Sequence, residues 1–339
     1  MSGLKPVLAR LARGESLNQA EAEAAFGVVM DGQATVAQIA GMLMAMRARG
    51  ETVAELIGAV TALRSRMAAV DLPAGAIDVC GTGGDGAASL NISTAVAFVV
   101  AACGVPVAKH GNRALTSRSG GADVLRELGV NLEAELAHLP EIFSTVGCVF
   151  MFAPRHHPAL AHAAQARVEL GTRTIFNLTG PMVNPARVKH QLMGVFAPVW
   201  TRPVAETLAA LGTEAAWVVY GNGLDELTLD GENVVVAVKD GEISEFTLNA
   251  GDAGLKTAPQ EAIRGGDAAH NAAALRAMLA GEKGAYRDTI LFNAAAALII
   301  SGKTLSLHQG VAMAAEAIDN GKAAKILSAL ISASQEVTV

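Results

Sequence analysis

Aromatic side chains are scarce: two Trp, two Tyr and nine Phe make up 4% of 339 residues, although 51% of the chain is hydrophobic. The core is therefore built from Ala, Val, Leu, Ile and Met, and a row of aromatic platforms for stacking nucleic-acid bases is excluded. Positive charge is also in deficit, 26 Lys and Arg against 32 Asp and Glu for a net −6. That balance argues against a polyanionic partner held by net charge, while leaving room for a phosphate ester held locally. The three cysteines, Cys80, Cys103 and Cys148, lie far apart in apolar segments without metal-ligand spacing, which fits buried thiols in a reducing compartment better than a disulfide framework. The longest apolar runs, 95–108 and 290–300, are too short for a bilayer and are interrupted by Gly104, Pro106 or Asn293. Met1 to Pro6 carries no signal-peptide core. These absences predict a cytoplasmic protein with neither a nucleic-acid nor a membrane partner.

The length allows about two domains. Residues 1–70 contain three capping-box signatures, Ser16 with Gln19, Thr35 with Gln38 and Thr52 with Glu55, each ahead of an apolar-periodic run. This predicts a small helical domain, and its Ala-, Ile-, Leu- and Met-rich segment 36–46 is a natural contact for a second copy. From residue 71 to 339 short apolar runs alternate with helical ones: 77–80, 105–108, 149–152, 192–196 and 216–220. The alternation predicts an α/β domain with a mainly parallel central sheet flanked by helices and ligand loops at the strands' carboxyl ends. Segments 234–238 and 243–248, joined through Asp240 and Gly241, predict a β-hairpin. The Ala-rich stretch 268–332 reads as three or four helices without obvious chemistry.

Two Gly-rich turns stand out. Gly81-Thr82-Gly83-Gly84-Asp85 can expose backbone N–H groups to a diphosphate, although on glycine content alone a ligand-free turn is equally good. It is neither a Walker loop nor a dinucleotide fingerprint. Asp85, Ser89, Asn91, Ser93 and Thr94 then crowd hydroxyls, an amide and an acid around a helix start, where ordinary capping explains one of them. In the second turn Lys109 offers a point charge for phosphate, Asn112 an amide able to accept from an amine, and His110 a wall rather than a base. Asp225 and Glu226 are paired hard oxygens suited to Mg²⁺; alone, such a pair is more often solvated surface. A fork at Arg167 can hold a carboxylate, whereas Arg173 suits a structural ion pair. His156 and His157, with no ligand at zinc-site spacing, are expected in a loop along the substrate channel.

The blocks Gly81 to Asp85, Asn91 to Thr94, Lys109 to Ala114, Leu170 to Asn177, Gly180-Pro181 with Asn184-Pro185, and Gly223 to Glu226 occur in that order. Together they resemble the signatures of the anthranilate phosphoribosyltransferases, over essentially the whole chain. The resemblance implies the fold class shared by nucleoside phosphorylases and phosphoribosyltransferases, with helices from about 165–190 joining the N-terminal domain. It implies transfer of ribose 5-phosphate from phosphoribosyl pyrophosphate (PRPP) to the amine of anthranilate in tryptophan biosynthesis, with Mg²⁺ and a homodimer formed through the helical domain. The implied PRPP contacts are Gly81, Gly84, Asp85, Ser89, Asn91, Ile92, Ser93, Thr94, Lys109, His110, Gly111, Asn112, Arg113, Ala114, Leu115, Thr116, Ser117 and Gly121. Gly81, Asn112 and Arg167 are implied for anthranilate, Lys109, Asn112 and Arg167 for catalysis, and Ser93, Asp225 and Glu226 for the metal. Many relatives are expected to carry Ser or Ala where Gly121 stands, leaving only a backbone contact there. The rivals are a pyrimidine nucleoside phosphorylase, disfavoured by the Asn112-Arg113 and Asp225-Glu226 pairs, and a silent nucleic-acid-binding relative, disfavoured by net charge.

Overall fold

The computed structural model describes residues 3–114 and 118–336. Its N-terminal helices are α1 (Lys5–Leu11), α2 (Gln19–Met30), α3 (Val36–Arg49) and α4 (Val53–Arg64). The capping boxes of α3 and α4 use Thr35 with Gln38 and Thr52 with Glu55, as their spacing predicts. The box of α2 does not use Ser16. Asn18 Oδ1 accepts from Glu21 N at 3.0 Å and Glu21 Oε2 accepts from Asn18 N at 2.9 Å, because an Asn at the N-cap satisfies the same orphan donors.

The second region runs β1 (Ile77–Gly81), α5 (Ile92–Ala102), β2 (Val107–Gly111), α6 (Gly121–Leu128), α7 (Leu139–Val146), β3 (Cys148–Phe152), α8 (Ala153–His156), α9 (Ala161–Leu170) and α10 (Ile175–Thr179). It continues with β4 (His190–Gly194), α11 (Thr201–Ala210), β5 (Ala215–Gly221), β6 (Asn233–Lys239) and β7 (Glu242–Leu248). Helices α12 (Ala268–Leu279), α13 (Ala285–Ile300), α14 (Leu307–Asp319) and α15 (Lys322–Glu336) follow. The strands form one seven-stranded sheet in the order β3-β2-β1-β4-β5-β6-β7. From β3 to β5 the pairing is parallel; β6 and β7 run antiparallel as a hairpin. Positive φ at Asp240 (51°) and Gly241 (84°) gives its turn the twist that suits two paired strands.

Because side chains alternate along a strand, the sheet serves two cores. Ile77, Val79, Leu192, Val219 and Val235 face α5 and the C-terminal helices. Cys80, Met193, Val195, Val218 and Val236 face the N-terminal helices and α11. Ala163 and Ala166 of α9 and Ile175, Phe176 and Leu178 of α10 also pack into this second core. Among the described residues, no helix is long and apolar enough to cross a membrane.

Candidate active site

Strand order reverses between β1 and β4, and the carboxyl ends of β1, β4 and β5 open one crevice there. Gly81 and Gly194 end their strands in register, and the segment after β5 folds back across both. A Cβ on Gly194 would lie 1.5 Å from the Asp225 carbonyl oxygen, and one on Gly81 would lie 2.3 Å from Asp225 Oδ2. Only glycines allow the acid to be laid onto the end of the sheet. Gly83, at φ +67°, donates its N–H to Asp225 Oδ2 at 2.6 Å. Asp85 Oδ2 lies 3.4 Å from Asp225 N.

Glu226 Oε1 accepts from Ser93 N, in the first turn of α5, at 3.1 Å. Lys109 donates to Ser93 Oγ at 3.1 Å and to the Val79 carbonyl. Lys109 lies within β2 and not in the turn after it, and it is buried beneath the crevice, bonded to Ser93 and close to the acids. Asp225 and Glu226 are only 9% and 8% exposed. Burial, with the charges of Asp85 and Glu226, pushes the Asp225 carboxyl well above its ordinary range. Burial pushes Glu226 to about 7, opposed by Lys109. Among the described residues no three His, Cys, Asp or Glu converge into a complete metal cage. Two buried carboxylates with a hydroxyl form the partial, hard-oxygen set that Mg²⁺ uses when substrate phosphates complete its shell. The residues fit that ion.

The other predicted phosphate contacts divide. Thr94 is buried, and a Cβ on Gly121 would stand 2.8 Å from its Oγ1, so Gly121 makes room for Thr94 where a larger residue would press on it. Ile92 is buried, Ser89 bridges to Arg264, and Asn91 Oδ1 is engaged by Asn271 Nδ2 at 2.8 Å. Gly84, at φ +75°, borders the arginine-lined cleft described next. In the second turn Asn112 Oδ1 accepts from Arg113 N at 2.7 Å. That oxygen keeps a second lone pair, so it can still accept from an amine. Arg113 lies over the Phe152 ring at 5.3 Å. Gly111 ends β2, and Ala114 N donates to Asp123 Oδ2 at 3.0 Å, tying this turn to α6. Leu115, Thr116 and Ser117 lie outside the described residues. His110 is buried, its ring centroid 5.0 Å from that of His157, and burial holds its pKa well below the ordinary value. A neutral wall is consistent with that.

A cleft of about 800 Å³ beside the crevice is lined by Arg47, Asp85, Arg118, Arg167, Arg173 and Asn177, among others. Arg167 lies over Phe176 at 5.4 Å and, among the described residues, no acid pairs with it. Gly81 and Asn112 stand instead at the ends of β1 and β2. Two expectations are corrected here. Arg173 makes no ion pair among the described residues; it stacks on Phe196 at 4.4 Å, and its carbonyl accepts from Arg47. His156 is wholly buried, with Nδ1 2.8 Å from the Ala68 carbonyl, so it pins the link between the two regions and lines no channel. Sequence reasoning also missed Asp78, whose Oδ2 accepts from Asn184 Nδ2 at 2.7 Å while Oδ1 accepts from His110 N at 3.2 Å. Burial pushes its carboxyl to about 6. An acid inside an apolar strand was the available signal. Arg47 carried none, since its neighbours come from distant sequence.

The fold and the crevice define a glycosyl transferase class: a model described as the glycosyl transferase family α/β domain matches residues 74–324, and one described as that family's helical bundle domain matches 5–67. An anthranilate phosphoribosyltransferase from Mesorhizobium japonicum is 55% identical over 331 residues, covering 98% of each chain. A crystal structure of anthranilate phosphoribosyltransferase from Thermus thermophilus matches with TM-score 0.92 and 42% identity over 97% of this chain and 99% of that one. The Saccharomyces cerevisiae enzyme in complex with PRPP and Mg matches with TM-score 0.88 and 26% identity over 98% and 99%. The chain belongs to the anthranilate phosphoribosyltransferase family.

Proposed function

We propose that the crevice at the ends of β1, β4 and β5 holds PRPP with Mg²⁺, and that Arg167 in the adjoining cleft holds the carboxylate of anthranilate. The reaction joins the anthranilate nitrogen to C1 of the ribose while the bond from C1 to the diphosphate oxygen breaks. It yields N-(5-phosphoribosyl)anthranilate and pyrophosphate, a step of tryptophan biosynthesis. The observation that carries the site assignment is a buried, under-compensated acid pair laid directly against a Gly-rich turn.

Positive charge grows on the sugar and negative charge on the leaving group, so the task is electrostatic positioning. Thr82 N and Gly83 N of the 81–85 turn donate to the Gly194 carbonyl and to Asp225, which leaves its Gly84-Asp85 end to meet the diphosphate, and Lys109 supplies positive potential from beneath Ser93. Asp225, Glu226 and Ser93 would hold Mg²⁺, which would neutralise charge on the departing diphosphate. The guanidinium of Arg167 orients the acceptor by a two-point grip. An aryl amine is neutral at pH 7, and its proton leaves only as the new bond forms, so no strong base is required. His110, kept neutral by burial, agrees with that economy.

The test follows loss of anthranilate fluorescence with PRPP and Mg²⁺, beside phosphorolysis of pyrimidine nucleosides. Transfer without phosphorolysis supports the reading; the reverse overturns it. We also propose a cytoplasmic homodimer through the helical region. Ile39, Met42, Leu43 and Met46 of α3 are spent on the chain's own core, which leaves Met44, 37% exposed, on the outer face. Sedimentation of the wild type and of Met44→Glu checks the contact.

A further inference from the structure

The helix α13 is apolar and buried along nearly its whole length, yet it carries Asn293 with no exposed surface. Burying an amide among apolar side chains costs stability unless its hydrogen bonds are made. Here two of the three are made to one residue. Asn293 Oδ1 accepts from Leu227 N at 2.9 Å, and Nδ2 donates to the Leu227 carbonyl at 2.8 Å and to the Thr289 carbonyl at 2.9 Å. Gripping both the N–H and the C=O of Leu227 fixes the peptide planes on either side of it. The first of those planes belongs to Glu226.

A second arm reaches the other half of the same contact. Tyr286 Oη, one end of α13, donates to the Asn91 carbonyl at 3.2 Å. From α12, Asn271 Nδ2 donates to Asn91 Oδ1 at 2.8 Å, while Asn271 Oδ1 accepts from Gly266 N at 2.7 Å. Asn91 is the N-cap of α5, two residues ahead of Ser93, whose N–H meets Glu226. The two arms therefore end on the residues flanking the Ser93–Glu226 contact, one on each side.

We infer that Asn293, assisted by Tyr286 and Asn271, is a positioning residue that sets the spacing between Glu226 and Ser93 and thereby the geometry of the metal and diphosphate site. This deepens the proposed assignment of Asp225, Glu226 and Ser93 to Mg²⁺ and rests on it. Other holds on the loop after β5, among them Thr228 N to Asn233 Oδ1 at 2.6 Å and Gln260 N to Asp230 Oδ2 at 3.2 Å, fall away from the Glu226–Leu227 step that Asn293 grips.

Asn293→Leu keeps the volume and removes all three bonds; Tyr286→Phe removes one hydroxyl and keeps the ring. In the full-length protein, hydrogen exchange of segment 221–229 should quicken about tenfold in Asn293→Leu. The Mg²⁺ concentration for half-maximal rate and the KM for PRPP should both rise about fivefold, with the KM for anthranilate within about twofold of wild type. Tyr286→Phe should raise the same two quantities about twofold. Unchanged exchange in 221–229, or a fall in thermal stability with all kinetic constants preserved in both variants, overturns the inference. If Asp225→Asn with Glu226→Gln keeps the wild-type Mg²⁺ response, the metal assignment fails; exchange in 221–229 then still decides whether Asn293 holds the loop.

Discussion

Each half of the molecule buries carboxylates, and the two halves treat them oppositely. In the helical region Glu55 has no exposed surface and accepts from Leu17 N at 3.0 Å, Thr52 N at 2.9 Å, Thr52 Oγ1 at 3.0 Å and the guanidinium of Arg49. In the crevice Asp225 and Glu226 are almost as buried, yet Asp225 receives one close N–H, from Gly83, and both carboxyls are driven upward by burial. The same side-chain chemistry is a staple where its lone pairs are satisfied. Where they are not, the buried charge is left in want of a counter-charge, which the proposed function supplies as a cation arriving with its substrate.

The comparison breaks first if the acids can be exchanged in role. Asp225→Asn with Glu226→Gln should cut kcat by about a thousandfold or more while leaving the melting temperature equal or higher, since an unfavourable buried charge is removed. Glu55→Gln should do the converse, lowering stability by about 1–3 kcal/mol as the bonds that the buried carboxylate accepts from Leu17, Thr52 and Arg49 are weakened, while kcat at permissive temperature stays near wild type. Denaturant unfolding beside steady-state kinetics reads both. A stable Glu55→Gln protein that has lost activity would end the contrast.

Arg167→Ala should raise the KM for anthranilate about ten- to a hundredfold and leave that for PRPP nearly unchanged, the worth of a charge-assisted fork. Equal weakening of both substrates would return Arg167 to a structural role.

A smaller effect appears in the pH dependence of the ligand-free protein. The folded pKa of Glu226, about 7, lies above its ordinary 4.5, so between these values the folded state holds a proton that the unfolded chain has lost. Stability should therefore fall as pH rises through that window. Asp78, raised from 3.8 to about 6, acts in the same direction at lower pH. Calorimetry should show a melting temperature lower by a few degrees at pH 7.5 than at pH 5, with the slope reduced in Glu226→Gln. A slope unaltered by Glu226→Gln would place the linked proton elsewhere. The smallest effect separates two candidate caps: Asn18→Ala should cost about 1 kcal/mol and Ser16→Ala under about 0.5 kcal/mol.

That last pair shows how local reading fails by small steps. Ser16 with Gln19 and Asn18 with Glu21 satisfy the same spacing rule, and the helix begins at whichever polar residue reaches its free N–H groups. Strand existence was more legible than strand bounds: runs 77–80 and 216–220 lie within β1 and β5, whereas 105–108 and 192–196 start two residues away from β2 and β4, and the Asp240-Gly241 turn announces its own hairpin. The Gly81 to Asp85 turn and the Asp225-Glu226 pair were visible for the same reason: each is contiguous in sequence. Arg173 and His156 were misread since stacking on Phe196 and bonding to Ala68 depend on residues remote along the chain. Asn293 was noticed as an interruption of an apolar run, and nothing nearby in sequence named Leu227 as its partner.

Composition and pattern by themselves determined an aliphatic core, a helical region followed by an α/β one, and the contiguous blocks proposed to grip phosphate, all properties written in neighbouring residues. Tertiary structure alone decided that Gly81 and Gly194 stand side by side to seat Asp225, that Lys109 works from beneath Ser93, and that two C-terminal helices reach back to hold both sides of the acid contact. The physical reason is the range of the forces involved. Periodicity and turn chemistry act over a few residues, whereas close approach, desolvation and a buried amide's choice of partner exist only once distant segments share the same few ångströms.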